Sequence, residues 1–330
     1  MEKFVKNFNH YPGVHCESTA LRDVFAYNGI EFSEPMIFGL GEGLNFVYWK
    51  SKQTPFPFVG GRTKDLSKNL CRNLGIQKQD HYSASFRKSW NEIKTLVGNS
   101  LPVFLELDMF YLEYLKVPEH FGGHCVTLVG YDDENVYLAD TNFKSIQKTS
   151  SKSFELARNS KHKPFPPKNY YATFEFPKSL PSLNEVIIKS IRTVANGMLN
   201  PPIRNLGING IRKFGEEIPK LSSYAKSTFD SKTISVFRYL YIWLEEAGTG
   251  GSCFRNLYRD FLKESMRYVE DENLAKGCEQ YERIADAWKE FSELLLGIDE
   301  GKKEKVREAQ KKIFEIYGLE KRALQILKRI

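Results

Sequence analysis

The sequence predicts an α+β domain followed by a mainly α-helical one, and three observations carry that reading. Before about residue 178 the chain consists of short strand-like runs punctuated by Gly and Pro. After it, long stretches keep helical spacing with few breakers. Between them lies KHKPFPPKNYY (161–171), a proline- and lysine-rich loop ahead of a last strand at 170–176. The expected domains are therefore 1–180 and 181–330, with helical periodicity beginning at Leu183.

Each element has a local cause. Ala20, Leu21, Val24 and Phe25 share one face of a helix over 17–27, and Gly29 suits its left-handed cap. A second helix begins near Ser33. The apolar run 101–107 reads as a strand. Runs 125–131 and 136–139, joined by Asp-Asp-Glu-Asn, read as a hairpin with a four-residue loop. Helices are expected at 233–246, 252–270, 275–296 and 302–327, the last two separated by Gly297, Asp299 and Gly301.

Composition narrows the classes. At 41% hydrophobic and 14% aromatic, 330 residues can bury a sizeable core. Five cysteines are too few for a disulfide scaffold and fit a reducing compartment. No 18-residue apolar run exists and the N-terminus lacks a signal-peptide pattern, so the expectation is a cytoplasmic protein with no membrane association. The net charge of +7 is unevenly spread. Ten Lys/Arg face three acids over 50–94, and eight face two over 144–178. One cation faces eight acids over 101–140. No zinc-finger spacing, aromatic RNP string or basic heptad helix is present, so no nucleic-acid partner is expected.

Two places suit chemistry. In HYPGVHCESTALRDVF (10–25) a loop ends at Cys16 and a helix follows. Unpaired N–H groups and partial positive charge at a helix start favour a thiolate. The Cys16 N–H is also a candidate oxyanion donor. The plainer reading is a small buried hydrophobe. In FGGHCVTLVGYDDENVYLADTN (121–142), His124 opens one strand and Asp140 ends its partner, so the two lie close across the hairpin. Asn142 is the other candidate to orient the imidazole, because the register is not legible. Cys125 alternates to the opposite face from His124 and reads as core packing. His15 lines the site or caps the helix.

The His-Cys pairs at 15–16 and 124–125 invite a zinc reading, but neighbouring strand residues diverge and no C-x-x-C pair exists; no metal is expected. FGLGEGLNFVYW (38–49) lacks the Lys-Ser/Thr of a phosphate loop and reads as a tight turn, with Glu42 a candidate to face the cleft. EEAGTGGSCFRNLYRDF (245–261) is a helix end, a Gly turn and a helix start. Its N–H groups are candidates for holding a phosphate, and a tight helix junction is the plainer reading.

NHYPGVHCESTAL, SEPMIFGLGEGLNFVY and GGHCVTLVGYDD…VYLADT together resemble the N-terminal domain of the butirosin biosynthesis protein H family. RNLGINGIRKF and EEAGTGGSCFRNLYRDFL resemble the helical domain that often follows it. That family is similar to papain-type cysteine peptidases, and its named member moves an acyl group from the phosphopantetheine thioester of an acyl carrier protein to an aminoglycoside amine. The resemblance implies a papain-like α+β fold with Cys16 as nucleophile, His124 as base and Asp140 as orienter. Related peptidases carry a Gln oxyanion donor six residues before the nucleophile. Here that place is His10, beside Asn9, and either residue or a second backbone N–H is a candidate donor. No cofactor is expected to be bound beyond the phosphopantetheine arm of the donor. The resemblance further implies a helical domain capping the cleft, with Thr249 and Gly250 lining its mouth. An acidic acyl carrier protein would dock on the basic stretches, and a cationic amine would suit the acidic one. The same triad also serves a hydrolase (peptidase or thioesterase), and a silent module binding a peptide or carrier is the third reading.

Overall fold

The computed structural model describes residues 2–51, 54–229 and 232–330. In chain order the first elements are β1 (Lys3–Phe4), α1 (Cys16–Tyr27), α2 (Glu34–Leu40), β2 (Leu44–Trp49), β3 (Phe58–Arg62), α3 (Leu66–Leu74) and β4 (Gln77–His81). They are followed by α4 (Phe86–Gly98), β5 (Val103–Leu107), β6 (His124–Tyr131), β7 (Asn135–Ala139), β8 (Gln147–Ser150), α5 (Ser151–Asn159) and β9 (Tyr171–Glu175). The rest is α6 (Leu183–Leu199), α7 (Gly207–Glu217), β10 (Ser227–Phe229), β11 (Lys232–Ile234), α8 (Val236–Tyr241), α9 (Arg255–Ser265), α10 (Glu272–Asp299) and α11 (Lys305–Leu327).

The chain forms two compact units, and their boundary differs from the sequence expectation. The first comprises residues 1–37 and Gly75–Lys178; the second takes Phe38–Leu74 together with Ser179–Ile330. A single cut near 180 thus misses a segment that packs among the later helices. Tyr48 N–H donates to the Asn205 carbonyl at 2.9 Å, and Asn205 Nδ2 returns a bond to the Tyr48 carbonyl at 2.7 Å. Phe46 meets Trp288 at 5.5 Å between ring centres, and Tyr48 stacks on Phe214. A Cβ added to Gly39 would lie 2.0 Å from the Phe261 ring, so the glycine permits that close approach.

In the first unit the strands run β4-β9-β5-β6-β7-β8, with β1 added to β6, seven strands among the described residues. Every pairing is antiparallel. Val103, Leu105 and Leu107 of β5, Val126 and Leu128 of β6, and Val136 and Leu138 of β7 form one core with Ile93 and Val97 of α4 and Phe154 and Ala157 of α5. The odd residues of β6 turn the other way: Thr127 Oγ1 donates to the Ala20 carbonyl of α1 at 3.3 Å. Helices on both faces explain why β6 is apolar almost throughout rather than alternating. α1 closes at Gly29 (φ +81), where the Ile30 N–H returns to the Phe25 carbonyl.

In the second unit, α10 outruns its expected helix at both ends and carries Gly297 and Asp299 within it, while α11 starts three residues later than expected, so the junction lies at 300–304. The expected helix over 233–246 starts later: β11 takes its first residues, and Ser235 caps α8 through Phe237 and Arg238 N–H. α8 runs on as a π turn, Ile242–Glu246. The Gly turn at 248–251 is no phosphate cradle, because a carboxylate already occupies it: Glu245 Oε2 accepts the Ser252 N–H at 3.0 Å. Ser252, Cys253 and Phe254 are all left-handed, a conformation costing non-glycine residues roughly 1–3 kcal/mol each. Arg255 Nη1 on the Cys253 carbonyl and Phe254 stacked on Phe38 hold it.

Candidate active site

Cys16 is the first residue of α1, directly after the N-cap His15, whose Nδ1 accepts the Ser18 N–H. The approach loop is fixed by Glu34, a buried carboxylate unremarked in the sequence reading. It accepts from the N–H groups of Val14 (3.0 Å) and His15 (2.9 Å) and from the hydroxyls of Ser18 (2.9 Å) and Thr19 (3.1 Å). Gly13 N–H donates to the Thr141 carbonyl at 2.8 Å, tying the loop to the end of β7. The chain therefore reaches Cys16 with its path fixed, and the Cys16 N–H lies in the first turn of a helix, where such groups favour negative charge.

The hairpin register puts Asp140 one residue past β7, and this carboxylate, rather than Asn142, reaches the imidazole. His124 Nε2 lies 2.9 and 3.0 Å from the two Asp140 oxygens. That leaves Nδ1 to face the sulfur, and Cys16 and His124 do share a side-chain hydrogen bond. Asp140 also accepts from the Tyr114 hydroxyl (2.7 Å) and the Thr141 N–H (2.7 Å), so it is held from three sides. Tyr114 lies in the long β5–β6 connection, whose sequence carries no periodicity that would have marked it.

Charges at the site reinforce one another. The Cys16 thiol is held well below its ordinary value. A hydrogen bond with the Cys125 thiol contributes most; burial opposes it, while the His124 hydrogen bond and the charges of His15 and His124 assist. Burial pulls the His124 imidazole down, but Asp140 and then Cys16 outweigh it and raise the ring to about 10. Burial likewise pushes the Asp140 carboxyl up, and the His124 charge and hydrogen bonds carry it below the usual carboxylate range. The directions of these shifts favour a thiolate–imidazolium pair backed by a carboxylate.

Cys125 is buried in the core, as its alternation predicts, and makes one further contact. Strand alternation does send it away from Val126 and Leu128, but the face it reaches is the α1 face, which also carries Cys16. Its thiol hydrogen-bonds Cys16 and is itself raised well above the ordinary value by that contact and by burial. His10 corrects the sequence reading. Nδ1 lies 2.5 Å from Asp23 Oδ2, and Nε2 lies 3.1 and 2.9 Å from the carbonyl oxygens of Asp140 and Phe143. Both nitrogens face acceptors, so neither is left to donate to an oxyanion. Asn9 and Asn142 are exposed.

The remaining candidates belong to the second unit. Glu42 is buried, with Arg72 Nη2 at 2.8 Å and Asn73 Nδ2 at 3.0 Å. Thr249 is buried, its hydroxyl donating to the Leu244 carbonyl and accepting the Gly251 N–H. The Gly250 carbonyl accepts from Asn256 Nδ2. All three make hydrogen bonds within the second unit. Among the described residues no cluster of three or more metal-ligating side chains occurs, and no helix is long and apolar enough to cross a membrane.

A cysteine at a helix start, packed on an antiparallel sheet that supplies His and Asp from one hairpin, places the chain among papain-like cysteine enzymes. Two family models then account for most of its length. The chain belongs to the family described as Domain of unknown function (DUF4872), matched over residues 152–327, and residues 15–141 match Butirosin biosynthesis protein H, N-terminal. The second match spans Cys16, His124 and Asp140 and bears out the resemblance read from the sequence motifs. A crystal structure described as that of a C39-like peptidase from Bacillus anthracis is 18% identical, covering 54% of this chain and 100% of its own, with a TM-score of 0.38. No curated protein matches the chain.

Proposed function

We propose that the protein is an acyltransferase that takes an acyl group from an acyl carrier protein thioester onto Cys16 and passes it to an amine. The observation that carries this reading is the Cys16 thiolate paired with an imidazolium that Asp140 holds. The name of the N-terminal family, a biosynthesis protein, favours bond formation over degradation.

The thiolate attacks the thioester carbonyl, and the Cys16 N–H faces the tetrahedral oxyanion. The carrier's thiol leaves with the His124 proton. Exchange of one thioester for another is nearly isoenergetic, so acylation needs little driving force. Acylation also removes the Cys16 charge, one of the influences raising the imidazole, so His124 becomes a better base for the second step. The amine attacks the acyl-enzyme, His124 takes its proton, and the amide forms as Cys16 departs.

Lys161, Lys163 and Lys168 are exposed on the first unit and suit an acidic carrier surface. The acidic stretch supports an amine site less well, since Asp108, Glu113, Asp132 and Asp140 already serve side-chain or backbone donors nearby. Mass spectrometry of the enzyme with an acylated carrier tests the reading. An adduct on Cys16 that passes to an added amine is expected. Release of free acid regardless of amine would make the protein a hydrolase, and absence of any adduct would end the proposal. Reversing the charge of the three lysines should raise KM for the carrier while leaving turnover of a small thioester unchanged.

A further inference from the structure

We propose that Cys16 and Cys125 form a reversible redox couple, in which Cys125 resolves an oxidised Cys16 as a disulfide. The geometry follows from α1 and β6. Thr127 bonds the Ala20 carbonyl, fixing which face of β6 meets α1. Cys125 is two residues back along that face, and Cys16 is one helical turn back from Ala20. Both cysteines therefore lie on the facing surfaces of α1 and β6, each on the side of the Thr127–Ala20 bond toward its element's start. Their side chains are in hydrogen-bond contact, and the Cys125 Sγ also reaches the Gly123 carbonyl at 3.8 Å. Both cysteines are free thiols in the structure. Cys16 is half-buried and Cys125 is buried, so an oxidant in solution meets Cys16 first.

The chemistry balances with hydrogen peroxide as oxidant. The Cys16 thiolate attacks one peroxide oxygen and the O–O bond breaks; Cys16 becomes the sulfenic acid and hydroxide leaves. The charge that kept the Cys125 proton in place is then gone. Cys125 gives its proton to hydroxide, forming water, and its sulfur attacks the sulfenic sulfur. The S–S bond forms as the S–O bond breaks, and hydroxide departs to take up a proton as the second water. The two thiols have lost two electrons and two protons between them, and the peroxide has gained them. A dithiol reductant reverses the step by exchange. The disulfide shields the sulfur from further oxidation, which would be irreversible. This inference rests on the contact of the two sulfurs and holds whether the enzyme transfers or hydrolyses.

The test uses the full chain, reduced and then exposed to peroxide, denatured, alkylated and cut with trypsin. Free thiols should fall by two from five. Peptides 7–22 and 117–144 should appear joined, and dithiothreitol should separate them and restore both thiols. In Cys125→Ser the joined peptide should vanish, and Cys16 should go on to sulfinic acid that dithiothreitol does not recover. Cys71→Ser should behave as the unaltered chain. Absence of the joined peptide in the unaltered chain would overturn the proposal, as would equal sulfinic acid formation at Cys16 with and without Cys125. The wild-type peptide decides the matter even if Cys125→Ser fails to fold.

Discussion

His10 bridges the helix that bears Cys16 to the backbone of the residue whose carboxylate meets His124: its ring spans from Asp23 of α1, 2.5 Å from Nδ1, to the backbone carbonyl of Asp140, 3.1 Å from Nε2. Where related peptidases place an oxyanion donor, this chain has a strut. Burial opposes the imidazolium, but the Asp23 hydrogen bond and charge and the two carbonyls raise its pKa above the ordinary value.

His10→Gln should therefore destabilise the protein by about 1–3 kcal/mol, since it removes the imidazolium from Asp23 Oδ2 and leaves that buried carboxylate only Arg22 on Oδ1. A pKa raised by folding stabilises fully below the ordinary value near 6.5, and that contribution fades as pH rises through the raised value. The difference in urea stability between wild type and His10→Gln should be larger at pH 6 than in alkaline buffer. A difference independent of pH would show a neutral ring.

Reactivity of Cys16 should follow the charges around it. Its lowered pKa means that the thiolate persists to lower pH than that of an ordinary cysteine and is lost as pH falls through the lowered value. Alkylation by iodoacetamide should already be on its plateau near pH 7, where an ordinary cysteine is still rising. On the proposed reading, acyl transfer should decline again as pH passes about 10 and the His124 imidazolium is lost. Asp140→Asn removes the strongest influence raising that imidazole. The rising limb of alkylation should then move to higher pH, and transfer should fall roughly 10²-fold or more. An unshifted limb in this variant would place the electrostatic support elsewhere.

The approach loop should tolerate no side chain at Gly13. A Cβ there would lie 2.0 Å from Thr19 Oγ1 and 2.7 Å from Glu34 Oε2. Gly13→Ala should break the Glu34 hydrogen bonds to Val14 and His15 and slow Cys16 alkylation by an order of magnitude or more, a loss that stopped-flow labelling reads directly. Gly98→Ala, whose added Cβ meets nothing within 4 Å, is the matched control and should leave the rate unchanged.

What the sequence made legible was local. Cys16 followed from a loop running into a helix, and His124 from a hairpin that left both Asp140 and Asn142 within reach until the register chose Asp140. What it did not reveal needs contacts distant in the chain. Alternation says that His124 and Cys125 diverge, but only the packing of α1 on β6 says which of the two faces holds the nucleophile. Glu34 lies 19 residues from the His15 N–H that it accepts, and Tyr114 lies 26 from Asp140, with nothing periodic to link either pair. The segment 38–74 looked like part of the first domain because it is continuous with it. Its aromatics Phe46 and Tyr48 find their partners, Trp288 and Phe214, more than 160 residues later.

The core of the second unit holds the last prediction. Arg255 and Glu320 are both wholly buried, with Nε and Oε1 2.7 Å apart, and Trp288 Nε1 donates to the same oxygen at 2.9 Å. Arg255 Nη1 also reaches the carbonyls of Cys253 (2.7 Å) and Asn45 (3.2 Å), so one guanidinium joins the left-handed turn, β2 and α11. Desolvation works against the charge, and Glu320 outweighs it, keeping the guanidinium pKa raised. Removing one partner strands the other charge in an apolar core. Arg255→Met should therefore cost about 3–5 kcal/mol in urea unfolding, and Glu320→Gln a similar amount. The double variant Arg255→Met with Glu320→Gln should be more stable than the sum of the two losses predicts, because it leaves no uncompensated charge. Additive losses would mean that the guanidinium's bonds to the carbonyls, rather than its charge on Glu320, are what hold this core.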